Sequence, residues 1–150
     1  CAARTQPSTV RRMELIPLCT LDATIGGMHL IGTGPAGART IAEVSGGSVT
    51  GERLNGAVKG NAAADWMRTS KDGIASLDVR VVVETDDGAL LYITYEGRAD
   101  WSEGPGTKPI YMAPKFETSD ERYTWLNAVQ AVGKGQLGAG TVSYEIAEVR

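Results

Sequence analysis

The sequence predicts an all-β fold, an antiparallel barrel or sandwich of roughly ten short strands. Nineteen glycines are spread along the 150 residues at turn-like intervals. Between them lie short runs rich in β-branched and aromatic residues. In LDVRVVVETDDGALLYITY, two such runs are joined across an Asp-Gly pair, which is typical of a tight hairpin turn. This punctuation favours many short strands over a few long helices.

The composition is that of one globular domain. The net charge is −3, and the 22% of charged residues mix both signs along the chain. There is no basic stripe, which argues against a nucleic-acid partner, and no apolar run long enough to span a bilayer. Residues 1–12 are polar and contain Pro7, so we expect a flexible N-terminal arm there and a single β domain over 13–150.

Two cysteines, Cys1 and Cys19, predict neither a disulfide framework nor a metal cluster. Cys19 lies in the apolar run LIPLCTL and is expected to be a small core residue. A leading cysteine occurs in processed bacterial lipoproteins, so a lipoprotein or exported form is the alternative to a trimmed start. We expect a cytoplasmic protein.

The first half of the chain is predicted as three strands, a hairpin and an ambiguous segment. The strands cover 13–20, 23–33 and 38–44, the second kinked at its Gly-Gly pair, and the hairpin covers 48–60. Pro17 places the first strand at an edge or a bend. The segment AAADWMRT is compatible with a strand or with the start of a helix.

The central hairpin predicts which side chains share a face. A loop of Asp87–Gly88 or of Thr85–Gly88 has an even number of residues. With either loop, Asp78 and Arg80 lie on the same face as Tyr95, because side chains alternate along a strand. A one-residue bulge would reverse this assignment.

The last third is predicted as a loop and further strands. Residues 101–109 have a loop composition, and loops of that length are often lids or binding loops. Residues 110–118 resume an extended pattern and 119–122 could form one helical turn. The segment 123–132 fits a strand or a helix equally well, and 141–149 alternates as a final strand.

Three blocks of the sequence resemble a known family. They are GGSVTGERLNGAVKGNAAADW, LDVRVVVETDDGALLYITYEG and FETSDERYTWLNAVQAVGKG, in that order. They resemble the bacterial and fungal family designated domain of unknown function 3237, over most of the chain from Gly37 onward. The resemblance implies a single lipocalin-like antiparallel β-barrel over 13–150 with room for one short helix, often paired as a homodimer. A few fungal relatives are associated with isomerisation or ring closure of aromatic natural products, which is an analogy for this chain.

Four side chains are candidates for acid–base chemistry: Asp65, Asp78, Arg80 and Tyr95. On a face that lines the barrel interior, Arg80 could stabilise an enolate or phenolate while Asp78 accepts a proton. Tyr95 could donate to a carbonyl, and Asp65, among apolar residues in a shared block, could be a base of raised pKa. The structural alternatives are a solvated ion pair, a core tyrosine and a turn cap.

Five further residues are candidates for ligand binding. Trp66 and Trp125 could form apolar walls, and Arg39 follows a turn that could place it at a barrel mouth. Tyr123 and Asn127 share a face with Trp125 if their segment is extended, and aromatic rings with one amide are typical of a small-molecule pocket. Core packing or a surface position is the alternative for each of them.

No metal site or cofactor is expected. His29 is the only histidine, and GTGPAG at 32–37 lacks the strand–helix context of a dinucleotide motif. The function predicted is a β-barrel that binds a small molecule. If it is an enzyme, we expect a cofactor-free isomerase or cyclase that moves protons on an aromatic or carbonyl substrate. The alternative is a non-catalytic ligand-binding or carrier protein. The expected partners are the small ligand and a second copy of the chain.

Overall fold

The structure is a computed structural model that describes residues 10–150. Eight antiparallel strands follow one another around a closed barrel, and the last pairs with the first. This confirms the predicted all-β barrel. The strands are β1 (Leu15–Gly34), β2 (Gly37–Thr50), β3 (Gly56–Thr69), β4 (Ile74–Thr85), β5 (Leu90–Asp100), β6 (Ile110–Glu117), β7 (Ala131–Leu137) and β8 (Thr141–Val149), and a short 3-10 helix, Thr124–Ala128, lies between β6 and β7.

The barrel has eight strands where roughly ten were predicted from turn spacing. The predicted strands 13–20 and 23–33 are one long strand, β1, which continues through residues 21 and 22, and the kink predicted at Gly26–Gly27 is a bulge within it. The predicted hairpin 48–60 is the end of β2, a loop and the start of β3. The ambiguous segment 62–69 is strand, since it lies within β3.

The described N-terminal residues add little to the barrel. Of the predicted arm, only residues 10–12 lie in the described part, where they are exposed and outside any strand. The expectation for Cys1 falls outside the described residues. In the part of the chain that the structure describes, no helix is long and apolar enough to cross a membrane.

Alternating burial along the strands fills the interior with side chains. β4 and β5 alternate strictly between buried and more exposed positions, as expected for strands with one face in a core. The interior is mostly aliphatic with two tyrosines. Its members from the central and closing strands include Leu21, Leu77, Val79, Val81, Val83, Leu91, Ile93, Tyr95, Ile110, Met112, Tyr144 and Ile146.

The turn between β4 and β5 contains three residues. Thr85 donates its N–H to the Ala89 carbonyl over 2.8 Å, which leaves Asp86, Asp87 and Gly88 in the loop. Gly88 has φ +91° and donates its N–H to the Thr85 carbonyl over 2.9 Å. This is the arrangement of a type I turn followed by a left-handed glycine that forms a bulge.

The odd number of loop residues reverses the predicted sharing of faces. Val79 pairs with Tyr95, and Arg80 pairs with Thr94. Tyr95 therefore projects into the interior with Val79, whereas Asp78 and Arg80 project to the outer surface. The prediction that these two charged residues share a face with Tyr95 is wrong, because it assumed a loop of even length.

The end of the barrel near this turn is closed by the 3-10 helix. Leu126 is fully buried there, and the flanking rings of Tyr123 and Trp125 pack against the core. The helical alternative for the start of 123–132 is therefore the observed one, and β7 begins at Ala131. We call this the closed end.

At the opposite end, the hairpin of β1 and β2 extends past the end of β8. β8 pairs with β1 only from Leu15 to Thr24, so residues 26–34 have β2 on one side and no described strand on the other. We call these residues the β1 edge, and this end of the barrel the open end. Met28, Leu30 and Ile31 are exposed there.

Candidate functional site

Asp65 lies in a row of inward-facing side chains that crosses the open end of the barrel. The direct pairings run from Met28 to Ala42, Asp65, Val79 and Tyr95. Direct partners in an antiparallel sheet project to the same face. Met28 is 55% exposed, Asp65 is partly buried, and Val79 and Tyr95 are buried. Asp65 therefore lies where the solvent-exposed part of this row meets the core.

The surroundings of Asp65 raise the pKa of its carboxyl group towards neutral pH. The pKa of Asp65 is raised to about 6: burial is the largest cause, the hydrogen bond from the Asp78 backbone N–H opposes it, and the charge of Asp78 adds to it. That N–H donates to Asp65 Oδ1 over 3.0 Å. A carboxyl group with such a pKa is mostly ionised at pH 7 and can still take up a proton at small cost.

Two tyrosines lie in the interior near this carboxyl group. The rings of Tyr95 and Tyr144 meet edge to face, with centroids 5.5 Å apart. Burial raises the pKa of both hydroxyls, and the charge of Asp65 raises them further, so both are proton donors at neutral pH. We call these three residues the inner polar cluster.

Sequence reasoning missed Tyr144. Its alternation with Val142 and Ile146 places it on one face of the last strand, which the sequence showed. Tyr144 lies beside Tyr95 only because the barrel closes. The pairing of β8 with β1 turns this face of β8 towards the interior. A core tyrosine in the last strand was the available signal.

Asp78, Arg80 and Trp66 form a group on the outer surface. Arg80 Nη2 lies 3.7 Å from Asp78 Oδ1, and both side chains are about half exposed. The Arg80 guanidinium lies 5.0 Å from the centroid of the Trp66 ring. Arg80 also lines two shallow surface depressions, of about 620 and 310 Å³. The structure brings these three residues together, but on the face opposite Asp65 and Tyr95.

Arg39 also lies on the outer face. It pairs with Arg68 and donates from Nη1 to the Trp66 carbonyl over 2.7 Å. This hydrogen bond joins β2 to β3 beside the Trp66 side chain.

Tyr123, Trp125 and Asn127 lie at the closed end, away from Asp65. The Tyr123 hydroxyl donates to Asp87 Oδ1 over 2.8 Å, and Trp125 is covered by the Arg53 guanidinium at 4.9 Å. Asn127 accepts the Thr118 N–H and donates to the Thr118 carbonyl, each over 2.9 Å. These contacts hold the 3-10 helix and the turns around it in place.

The arrangement at the open end allows acid–base chemistry on a small molecule. One carboxylate near its pKa can accept a proton from a hydroxyl group and return it to another atom. Two buried phenols can donate hydrogen bonds to a carbonyl or to a developing oxyanion. The surrounding side chains Met28, Ala42 and Met67 present apolar surface to a ligand body.

Comparison with known proteins identifies relatives along most of the chain. Residues 13–149 match the family described as "Protein of unknown function (DUF3237)". A UPF0311 protein from Rhodopseudomonas palustris is 30% identical over 142 residues, which are 87% of this chain and 92% of that protein. The structure of a β-barrel-like protein from Acinetobacter baumannii is 29% identical and superposes with a TM-score of 0.86, over 96% of this chain and 100% of the other.

One relative has a named activity. A hydroalkoxylation enzyme from Penicillium herquei is 28% identical over 116 residues, which are 77% of this chain and 70% of that enzyme.

Proposed function

The chain belongs to the DUF3237 family, and we propose that it binds a small aromatic or carbonyl-bearing molecule at the open end and moves protons on it without a cofactor, as an isomerase or cyclase. The observation that carries the proposal is the inner polar cluster. Asp65 combines an inward position, a pKa raised to about 6 and two neighbouring tyrosine hydroxyls. Asp65 is the base, and Tyr95 is the hydrogen-bond donor.

The named relative supports this type of chemistry. Hydroalkoxylation adds the O–H bond of an alcohol across a carbon–carbon double bond. The oxygen loses its proton, a C–O bond forms, and the other carbon gains a proton, with no net oxidation or reduction. A carboxyl group with a pKa of about 6 can take the proton from oxygen and deliver it to carbon, so the step needs no co-reactant.

The outer group has an indirect part in this proposal. Asp78 acts on Asp65 through its backbone N–H and through its charge, both of which shift the pKa of Asp65. Arg80 pairs with the Asp78 carboxylate at 3.7 Å and offsets its charge. Arg39, Tyr123, Trp125 and Asn127 already have partners within the fold, so the proposal gives them no contact with substrate.

The proposal is tested by the conversion of hydroxyaryl alkenes and hydroxyaryl enones to cyclic ethers. The Asp65→Asn variant keeps the acceptor oxygen but cannot take up a proton, and we expect it to lose about 100-fold or more in rate. In the wild type, kcat/KM should rise with pH and reach half its maximum near pH 6, because the ionised carboxyl group is the active form. Product formation is followed by chromatography.

Tyr123→Phe is the matched control, since it alters a polar side chain at the closed end. It should convert substrate like the wild type. Undiminished conversion by the Asp65→Asn variant would contradict the proposal.

The second candidate function is that of a carrier. The apolar side chains at the open end, Met28, Leu30 and Met67, can hold a ligand without changing it. A ligand recovered unaltered from every incubation, while it raises the melting temperature of both the wild type and the Asp65→Asn variant, would favour this function.

We also propose that the chain forms a homodimer through the β1 edge. This edge leaves backbone donors and acceptors without a strand partner among the described residues. Residues 25–34, IGGMHLIGTG, contain no Lys, Arg, Asp, Glu or Pro, which are the residues that usually protect such edges. Two copies of the same uncharged strand can pair antiparallel without like-charge contacts.

A further inference from the structure

The inner face at the open end has a single charged side chain among the described residues, Asp65. The basic side chains of the surrounding strands belong to the outer face, as their pairings show. These residues are Arg39, Arg68, Arg80, Arg98 and Lys115. A ligand carboxylate at this position would meet the charge of Asp65 with no cation to offset it. A neutral hydroxyl group can instead donate a hydrogen bond to the Asp65 carboxylate.

An apolar strip leads from Asp65 towards solvent across two strands. Ala42 is the next side chain in the row, and Met28 follows it on β1. Since neighbouring strands lie about 4.8 Å apart, the strip is roughly 10 Å long. Leu30 extends it along β1 and is 78% exposed. Ala42 has a small side chain, which covers little of the sheet between Met28 and Asp65.

We propose that this site takes a neutral phenol or enol that carries an apolar tail about 10 Å long. The hydroxyl group donates to Asp65, and the tail lies over Ala42 against Met28 and Leu30. Carboxylic acids of the same shape are excluded by charge. This inference rests on the proposed function of the site and names its substrate class.

The test measures binding by titration calorimetry at pH 7.5 with two matched series, 4-alkylphenols and 4-alkylbenzoates of increasing chain length. The dissociation constant of the phenols should fall by up to about fourfold with each added methylene, until the tail reaches the end of the strip. The benzoates should bind at least about tenfold more weakly, because each places its charge beside Asp65.

Variants on the β1 edge locate the tail. Met28→Ser and Leu30→Ser replace exposed side chains, so these variants are expected to fold, and they should flatten the dependence on chain length. His29→Ser is the matched control. His29 pairs with Ile41, which pairs with Trp66 on the outer face, and its replacement should leave the dependence unchanged.

Four outcomes would contradict the inference. Equal binding of benzoates and phenols would exclude selection by the Asp65 charge, as would benzoate binding that does not improve in the Asp65→Asn variant. Absence of binding by every phenol would exclude the substrate class. The Met28→Ser and Leu30→Ser variants could also sediment at a different mass while the dependence on chain length stays unchanged. These side chains would then contact a second copy of the chain and not the ligand tail. Binding as described without conversion of any substrate contradicts only the proposed function.

Discussion

The folded protein surrounds the Asp65 carboxyl group with an environment that favours its protonated, uncharged form. Its folded-state pKa of about 6 lies above the ordinary value of 3.8 because burial removes water from the carboxylate. Between these two pH values the folded protein binds more protons than the unfolded chain. The free energy of unfolding contributed by this group therefore falls as pH rises from about 4 to about 6, and stays low above pH 6.

We expect the Asp65→Asn variant to be more stable than the wild type at pH 7, by up to about 3 kcal/mol. The difference should shrink as pH falls below 6 and vanish below about pH 3, where the wild-type carboxyl group is protonated in both states. Urea denaturation at a series of pH values measures it. Leu126→Ala, which affects a buried apolar residue, serves as a pH-independent reference. If the stability gained by the variant did not change with pH, the folded structure would not raise the pKa of Asp65.

Single residues of the site were partly predictable. Asp65 was selected mainly because it lies in a block shared with the family, and Tyr95 because the hairpin count placed it beside Asp78 and Arg80; both face inward. Their proximity to Tyr144 was not predictable, because it depends on how strands at opposite ends of the chain are brought together. Asp78 and Arg80 were placed on the wrong face by one residue of loop length. The residues of this turn are compatible with a loop of two, three or four residues. The sequence therefore cannot decide which face of β4 lies on the same side as Tyr95.

At the scale of elements, the β4–β5 turn determines the face of every side chain in the central hairpin. Gly88 adopts φ +91°, a conformation that other L-residues adopt only with strain. A Cβ at Gly88 would meet no heavy atom within 4 Å, so a substitution there changes backbone energy and little else.

We expect Gly88→Ala to lower the free energy of unfolding by about 1 kcal/mol, from backbone strain alone. Gly46→Ala is the matched control, because its Cβ would also meet open space and its φ lies outside the left-handed region. It should change stability by less than about 0.5 kcal/mol. Equal losses in the two variants, measured by urea denaturation, would show that the turn does not need the left-handed conformation.

The strands and the helix differ in how clearly the sequence predicts them. The strands of the central hairpin and the final strand alternate strictly, and they were predicted close to their observed bounds. β1 was divided in two at residues 21 and 22, whereas the observed strand continues through them and pairs there with both β2 and β8. The 3-10 helix was ambiguous because five residues are too few to establish a period.

At the scale of the whole molecule, the β1 edge has β2 on one side and no strand on the other among residues 10–150. We expect the protein to sediment at twice the mass of one chain. Ile31→Lys should yield a single-chain mass, because a charged side chain would then lie on the pairing edge of each copy. Leu90→Lys changes another exposed apolar residue, at the start of β5, and should remain dimeric. A wild type that sediments as one chain at high concentration contradicts the proposal.

The spacing of turns predicted an antiparallel barrel or sandwich, because closely spaced turns leave room only for short strands joined as hairpins, and the choice of a barrel came from the family resemblance. Its closure and the position of the open end were not predictable. They depend on the pairing of β1 with β8, which are separated by most of the chain, and on β1 being longer than β8. Local sequence patterns contain no information about such a difference in length.

The seam between β1 and β8 has a consequence for how the barrel forms and opens. Seven of the eight strand pairings join neighbours in sequence, and the β1–β8 pairing alone brings distant parts of the chain together. The loop that this pairing closes is the longest, so its closure costs the most entropy, and we expect the pairing to complete the barrel late in folding. Cys19 lies in this seam opposite Ile146, buried and with its thiol pKa raised to about 11. The rate at which this thiol reacts with a thiol reagent therefore measures how often the β1–β8 pairing opens, because the reactive thiolate forms only when the side chain is exposed.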